Sequence, residues 1–243
     1  MHSDFQTFRF AIIITLVCSL LLATAATFLK PRQVENVKLD IKKNILKSAG
    51  ITDPNTELSR EDIQSLYEKN IAESVINDQG ASVEGKSPSD INPKANEGLM
   101  ALYQWKDGEA VKAYIIPISG KGLWSTIYGY LAIEPDGATV KGITFYQHGE
   151  TPGLGGEIEK SWFTDSYIGK RIINPQGELV SVTSVRGKIK DKVPESEFYH
   201  NVDGISGATL TTRGVNDFLK EDLEAYESYF KIVREAQKEV DNG

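Results

Sequence analysis

The residues with the clearest chemical meaning form the segment Asp203-Gly-Ile-Ser-Gly-Ala-Thr209, which lies directly before a long amphipathic helix pattern. Its small residues let the backbone approach a ligand closely, and Thr209 stands at the predicted helix N-terminus. Free backbone N–H groups and the positive end of the helix dipole favour an anion there, above all a phosphate. Local chemistry leaves two interpretations open: a phosphate site, or an ordinary cap in which Ser206 or Thr209 binds the first N–H groups.

Three further motifs accompany this segment. Gly120-Lys-Gly-Leu-Trp124 and Glu150-Thr-Pro-Gly-Leu-Gly155 precede it, and Leu210-Thr-Thr-Arg-Gly-Val215 follows it. The segment at 203–209 matches Asp-Gly-x-Ser/Thr-Gly-Ala-Thr, the flavinylation motif of FMN-binding domains that carry FMN through a phosphoester bond to threonine. Together the motifs resemble one family, the C subunit of the sodium-translocating NADH:quinone reductase, over nearly the whole chain.

The resemblance implies an electron-transfer function and a covalent cofactor. FMN would be attached to Thr209 by a flavin transferase that uses FAD and a metal ion. This FMN would take electrons from an iron centre of a partner protein in the complex and pass them singly to the FMN of another. The whole complex would oxidise NADH, reduce ubiquinone and pump sodium ions. The other motif residues expected at the cofactor are Asp203, Gly204, Ser206, Gly207 and Ala208.

The sequence offers no complete catalytic site of its own. No GxGxxG opens a βαβ unit for NADH, and no histidine lies within 203–209 to activate a threonine as nucleophile. The apolar run near the N-terminus holds no acidic or basic residue that would line an ion path. The sequence therefore predicts an electron-carrying part of an enzyme.

The loop from His148 to Gly156 has two interpretations. It is either a Pro-Gly turn, or a flat polar surface around Glu150 that lies along the flavin ring, which the resemblance favours. In the second case Thr151 donates a hydrogen bond to an isoalloxazine oxygen and Leu154 packs on the ring. His148 is expected to be a hydrogen-bonding residue of this loop.

Two other positions carry similar alternatives. Trp124 is either an ordinary core tryptophan or a residue that stacks on the ring or supports its loop. Lys188 and Lys190 are either solvated charges or a source of one ammonium that neutralises the FMN phosphate.

Composition excludes several classes of site. Cys18 is the only cysteine and lies in the apolar run, which excludes an iron–sulfur cluster, a structural zinc and an internal disulfide. Three histidines do not make a metal cluster. The net charge is −7, and residues before Lys30 contribute none of it. The remaining acidic domain argues against a nucleic-acid partner, and redox chemistry here requires an organic cofactor or a partner's metal.

The run from Phe10 to Leu29 is uncharged and twenty residues long, enough to cross the ~30 Å hydrocarbon core of a bilayer as a helix. The alternative is a cleaved signal peptide, because Ala23-Thr-Ala25 resembles a cleavage site. The length of the run and the single basic residue before it, Arg9, favour a single-pass anchor in a lipid bilayer, and the resemblance implies that this is the bacterial inner membrane.

Charge and family resemblance disagree about orientation. Only Arg9 precedes the run, and a count of positive charges places the following domain in the cytoplasm. The resemblance implies the periplasmic side, where the flavin transferase works, and large domains translocate despite flanking charge. We expect the periplasmic side. The basic residues after the run are Lys30, Arg32, Lys38, Lys42 and Lys43.

The hydrophobic pattern predicts an α+β fold, a mostly antiparallel sheet with packed helices, behind one N-terminal transmembrane helix. We divide the chain into an anchor (1–32), a helical segment with linker (33–97) and an FMN-binding domain (98–243). Helices are expected at Gln33–Ser48, from a Ser59/Asp62 capping box to about Ile76, at 156–163 and at 210–240. The stretch 77–97 is typical of a linker or surface loop. Strands are expected at 99–105, 111–118, 123–133, 139–147 and 179–185.

Two other functions remain open from the sequence. One is that of the G subunit of the related ferredoxin:NAD oxidoreductase complex, which shares the anchor, the domain and the motif. The other is a membrane-anchored binding or scaffold protein without a cofactor, which a colourless purified protein would reveal. The loops at 120–124 and 150–155 favour the quinone reductase.

Overall fold

The computed structural model describes residues 4–52, 56–91 and 98–242. The chain divides into two compact units, Met1–Ile41 and Lys42–Gly243. Helix α1 (Asp4–Ser48) begins in the first unit, and its last two turns belong to the second.

The first unit consists of the apolar part of α1. Its most apolar window has a mean hydropathy of 2.5 and is not buried by protein, so the helix is long and apolar enough to cross a membrane. The hydroxyl groups of Thr15 and Thr27 each donate to the carbonyl oxygen four residues earlier, at 2.8 Å. Both hydroxyls are therefore satisfied within the helix, as an apolar surrounding requires.

One continuous helix replaces the predicted anchor and the separate helix from Gln33, with Pro31 inside it. The predicted end at Gly50 is confirmed. Gly50 has φ +73°, and its N–H and that of Ile51 donate back to carbonyl oxygens of the last turn. Glycine takes this left-handed conformation without steric cost, which ends the helix.

The second unit is built on a five-stranded antiparallel meander, in the order β1-β2-β3-β4-β5. Its strands are β1 (Ile71–Asn77), β2 (Leu99–Asp107), β3 (Ala110–Lys121), β4 (Thr126–Ile133) and β5 (Val140–Gln147). The α+β prediction is confirmed. The division of the chain at residue 98 stays a prediction, although the sheet takes its first strand from before that point.

The predicted second helix was too long. The Ser59/Asp62 capping box is confirmed, with hydrogen bonds in both directions, but α2 (Arg60–Asn70) ends six residues before the expected Ile76. The β-branched residues that follow pair with β2 as strand β1. Strand pairing therefore overrides a helical pattern that was ambiguous over these few residues.

The segment after β1 is more ordered than the predicted loop. The N–H of Gly80 donates to the Asn77 carbonyl (2.9 Å), and the N–H of Val83 donates to the Val75 carbonyl (2.8 Å), so the chain returns along β1. A 3₁₀ turn at Pro88–Asp90 follows. The rest of this predicted loop, residues 92–97, lies outside the described residues.

Two more predictions from the sequence need correction. Leu123 and Trp124 belong to a turn, closed by the Gly122 N–H donating to the Ser125 carbonyl at 2.8 Å, so the strand starts only at Thr126. The strand expected at 179–185 is reduced to β6 (Thr183–Ser184), which pairs in parallel with β7 (Asn201–Val202). The cause is Ser181, whose φ of +63° interrupts the extended backbone.

The remaining helices follow the predictions more closely. The short helix expected at 156–163 consists of a 3₁₀ turn, Gly155–Glu159, and helix α3 (Ser161–Thr164). The last helix, α4 (Thr209–Asn242), covers the predicted range.

Both faces of the sheet are covered over part of β3 and β4. Successive residues of a strand face opposite sides, and neighbours such as Ile115 and Ile116 are both buried. One face forms the main core with α4, through Ile118, Leu131 and neighbouring side chains. The other face meets the end of α1, where a Cβ on Gly142 would lie 2.4 Å from the Ser48 carbonyl oxygen. Helix α2 joins the same side, since the Tyr67 hydroxyl donates to Glu73 of β1 at 2.6 Å.

Helix α4 packs closely against the end of β3. A Cβ on Gly120 would lie 2.1 Å from the Phe218 Cβ, so glycine allows the close approach. One turn further, the Asp222 carboxylate accepts the Ser119 N–H at 2.8 Å. Burial raises the pKa of Asp222 to about 7, with Glu221 adding to the shift and the Ser119 hydrogen bond opposing it.

This raised pKa gives a pH-dependent stability. Because the carboxyl is harder to ionise in the folded chain than in the unfolded one, its contribution is complete below pH ~4 and is lost as pH rises to about 7. We expect Asp222→Asn to raise the free energy of unfolding at pH 8 by on the order of 1–3 kcal/mol and to change it little at pH 4. Urea unfolding at the two pH values measures this. Asp217→Asn, an exposed residue of the same helix, serves as control; an equal gain for both variants would contradict the assignment.

Candidate functional site

The start of α4 presents free backbone N–H groups. The first helical hydrogen bond runs from the Thr212 N–H to the Ala208 carbonyl (3.0 Å), so the N–H groups of residues 209–211 precede it. Gly207, with φ +76°, turns the chain into the helix. Within the described residues neither Ser206 nor Thr209 forms a hydrogen bond to these groups. They are therefore available to an anion.

Three threonines lie in this first turn, and they differ in exposure. Thr209 is exposed, whereas Thr211 and Thr212 are 1% and 5% exposed. The Thr211 hydroxyl donates to Glu150 Oε2 at 2.6 Å, and the Thr212 hydroxyl lies 3.2 Å from the Ala208 carbonyl oxygen, to which it donates. Of the three, only Thr209 offers its hydroxyl to another molecule.

Glu150 connects the two glycine-containing loops that the sequence motifs identified. Its buried carboxylate accepts four hydrogen bonds: the Thr211 hydroxyl and the Leu123 N–H (3.3 Å) on one oxygen, the Trp124 N–H (2.9 Å) and the Ser125 N–H (3.3 Å) on the other. Burial alone would raise the pKa of Glu150, but the bonds from Thr211 and from the backbone outweigh it and hold the pKa below its usual value.

Two glycines fit closely around this carboxylate. A Cβ on Gly122 would lie 2.6 Å from Glu150 Oε1, and one on Gly155 would lie 2.5 Å from the Thr211 hydroxyl oxygen. A third contact joins the 150–155 loop to the 203–209 segment, since Leu154 Cδ2 is 2.8 Å from where a Gly207 Cβ would be. Glycines of the motifs therefore serve protein packing at these points.

Large apolar side chains remain exposed on the loops that meet the start of α4. Trp124 is 71% exposed, which excludes the interpretation as a core residue. Leu123 and Leu210 lie on a cleft of about 410 Å³ between the 120–123 backbone and the first turns of α4, together with Arg213. Leu154 is also exposed. Such a concentration of apolar surface on a folded domain is typical of a binding site.

The loop at 150–155 is a turn with an exposed polar residue. The Thr151 carbonyl oxygen accepts the N–H groups of Leu154 (3.1 Å) and Gly156 (2.9 Å), and its side chain faces outward. His148 has the hydrogen-bonding role expected of it, because its Nδ1 lies 3.2 Å from the Glu150 N–H that donates to it. Its other nitrogen lies 3.5 Å from Glu159 Oε2.

Asp203 and Gly204 shape a neighbouring loop. The Asp203 carboxylate accepts the Lys188 ammonium and the Ile189 N–H, each at 2.8 Å. Burial acts to raise the pKa of Asp203, but Lys188 and the Ile189 hydrogen bond outweigh it and lower the pKa. A Cβ on Gly204 would lie 2.0 Å from the Val185 carbonyl oxygen, so only glycine fits there.

Lys188 and Lys190 are both exposed, and Lys188 forms an ion pair with Asp203. Both lysines line a cavity of about 570 Å³ on the Asp203 side, with Trp162, Phe198 and the partly buried Lys170. Burial lowers the pKa of Lys170, and the charge of Asp203 opposes this shift.

Two residues of the site were missed from the sequence. Thr211 was noted only as part of the 210–215 motif and was given no role, although a second threonine close to an expected modified one is a detectable pattern. Asn216 was also missed; its side-chain amide exchanges two hydrogen bonds with the Ser184 backbone, at 2.8 and 2.9 Å, and ties β6 to α4. Nothing in the sequence indicates that pairing, because the two residues are 32 positions apart.

Comparison with known proteins agrees with these observations. Residues 122–224 match the FMN-binding domain family. The C subunit of a Na(+)-translocating NADH-quinone reductase from Pseudomonas aeruginosa is 34% identical over 241 residues, covering 90% of both chains. The corresponding C subunit of Haemophilus ducreyi is 37% identical and covers 88% of this chain and 87% of its own.

Solved structures give the same result. The crystal structure of the Na(+)-translocating NADH-quinone reductase C subunit from Parabacteroides distasonis matches with a TM-score of 0.72 and 31% identity, over 83% of this chain and 96% of that one. Shewanella oneidensis NqrC matches with a TM-score of 0.64 and 27% identity, over 80% of this chain and 96% of its own.

Proposed function

The chain belongs to the family of the C subunit of the Na(+)-translocating NADH-quinone reductase, and on this premise we propose that it carries electrons through an FMN bonded by its phosphate to Thr209. The observation that carries the proposal is the first turn of α4. There the exposed Thr209 hydroxyl stands beside uncommitted N–H groups, while the hydroxyls of Thr211 and Thr212 are buried and bonded.

The described residues fit a flavin phosphate and ring. A phosphodiester keeps one negative charge, which the N-terminus of α4 would stabilise by ~0.3–1 kcal/mol. The exposed apolar side chains Leu123, Trp124, Leu154 and Leu210 supply surface for a flat ring. When bound, FMN supplies the electron-transfer chemistry, which no side chain of the protein provides. The protein's own residues would retain the cofactor through Thr209, orient its phosphate at the start of α4 and offer apolar surface to the ring.

Attachment requires a second protein, because the 203–209 segment contains no base for Thr209. We propose that a flavin transferase supplies the base, with FAD as donor. The Thr209 oxygen forms a bond to the phosphorus of the FMN half, the pyrophosphate P–O bond breaks, and AMP leaves. The hydroxyl proton passes to the transferase.

The partners follow from the same premise. We propose that this protein works within a sodium-pumping reductase, next to subunits that deliver and accept single electrons. The relatives compared above are named as the C subunit of the quinone reductase, which favours that complex over the G subunit of the ferredoxin:NAD oxidoreductase complex. The match to FMN-binding domains speaks against a scaffold without cofactor.

The membrane placement is part of the proposal. The apolar window of α1 would lie in the lipid bilayer as a single-pass anchor. We place the domain on the periplasmic side, as the family resemblance implies. The count of basic residues after the window favours the cytoplasm, but large domains translocate despite flanking charge.

Mass spectrometry tests the attachment site. When the chain is produced with its flavin transferase, we expect a mass increase of one FMN less one water, located on Thr209 by peptide mapping. Thr209→Ala should abolish it, whereas Thr211→Ser and Thr212→Ser should retain it, because serine keeps the hydroxyl hydrogen bonds of the first turn and leaves Thr209 unchanged. An adduct on either neighbour, or none on the intact chain, would refute the assignment.

Thr151→Val tests whether the 150–155 loop lies on the flavin. The variant keeps the shape but removes a hydroxyl that would bond to one redox state of the ring, a loss of about 0.5–1.5 kcal/mol. Since ~1.4 kcal/mol corresponds to about 59 mV for one electron, the flavin potential should shift by tens of millivolts at full covalent occupancy. Redox titration followed by visible absorbance measures this. An unchanged potential and spectrum would mean that the loop is only a Pro-Gly turn.

A fusion experiment tests the orientation. A phosphatase that is active only outside the cytoplasm, joined after Gly243, should be active in the native host. The same phosphatase joined to the N-terminus provides the control and should be inactive. The reverse pattern would place the domain in the cytoplasm and remove this part of the proposal.

A further inference from the structure

The Glu150 carboxylate has all of its hydrogen-bonding capacity filled by the protein. A carboxylate accepts about four hydrogen bonds, and Glu150 accepts four, two on each oxygen. With 5% of the residue exposed, no lone pair remains for a cofactor. Any role of this side chain at the site must therefore be exerted through the groups that it holds.

One of those groups lies two residues from Thr209. Residues two apart on an α-helix point about 200° apart around its axis, so Thr209 faces outward when Thr211 faces the protein. The bond from Thr211 to Glu150, at 2.6 Å, fixes that rotation of the first turn. Thr211 is buried at 1% exposure, which leaves it no alternative partner in solvent.

The other groups belong to the loop that carries Leu123 and Trp124. Glu150 accepts three successive backbone N–H groups of this loop, so its charge holds the loop at a fixed distance from the helix. The two loops pack closely around the Glu150 carboxylate, since a Cβ on Gly122 or Gly155 would lie within 3 Å of its oxygens.

We propose that Glu150, acting through Thr211, is a positioning residue that presents the Thr209 hydroxyl for flavin attachment. It sets the rotation of the first helical turn and the spacing to the Leu123–Trp124 loop at once. This inference rests on the proposed attachment to Thr209 and adds a requirement that the flavinylation motif does not contain.

The test compares initial rates of FMN attachment to the full-length chain, with purified transferase and FAD, by mass spectrometry. Thr211→Val keeps the shape and removes the bond to Glu150, and we expect a fall of about tenfold or more. Thr212→Val is the matched control, because it also removes a buried threonine hydroxyl of the same turn, but one that bonds only to helix carbonyls. Its rate should stay within about twofold of the unmodified sequence.

Further variants separate positioning from general destabilisation. Thr211→Ser restores the hydroxyl and should restore most of the rate. Glu150→Gln should slow attachment as Thr211→Val does, and the double variant should be no slower than the slower single one, because both changes break the same bond. Thermal unfolding midpoints of the two valine variants show whether a rate difference exceeds a stability difference.

Two failures are distinguishable. If the unmodified chain gains no FMN on Thr209, the proposed function is wrong. If it gains FMN normally but Thr211→Val and Thr212→Val have equal rates, or the effects of Glu150→Gln and Thr211→Val simply add, the positioning role of Glu150 is overturned.

Discussion

The site depends on one buried negative charge that has no cationic partner among the described residues. A carboxylate out of water is tolerated only where dipoles replace its hydration, and for Glu150 three backbone N–H groups and one hydroxyl do so. Because the buried carboxylate requires all four hydrogen bonds, each donor is in turn fixed at hydrogen-bonding distance from it. The 120–124 loop, the 150–155 loop and the start of α4 therefore form one unit, in which moving any part leaves the carboxylate without its donors.

Helix α4 connects this unit to the rest of the domain through contacts along its length. Its first turn meets Glu150, and the Phe218 contact with Gly120 holds it close to the end of β3. Further along, the Tyr226 hydroxyl donates to the Ala101 carbonyl in β2 at 2.6 Å, and a Cβ on Gly80 would touch the Tyr229 backbone. The position of Thr209 is thus set by a helix that is packed against the sheet over most of its length.

Local signals in the sequence were enough for the parts that local chemistry determines. The helix start at Thr209, the capping box at Ser59 and the glycine stop at Gly50 are each encoded within a few residues. Strand β1 was mistaken for helix because its identity comes from pairing with β2, where Ser74 lies opposite Leu102, 28 residues away. The partners of Glu150 could not be predicted either. Thr211 is 61 residues away, and a glutamate between glycines gives no sign of which loops will donate to it.

Under the proposed attachment to Thr209, the packing of the first turn would decide which of its threonines a transferase can reach. Thr209, Thr211 and Thr212 are chemically identical nucleophiles within four residues. An enzyme that acts on the folded chain need not discriminate among them, because two are sequestered before it arrives. Site selectivity would then reside partly in the packing of the folded chain, and on an unfolded chain the sequence of the 203–209 segment alone would have to supply it.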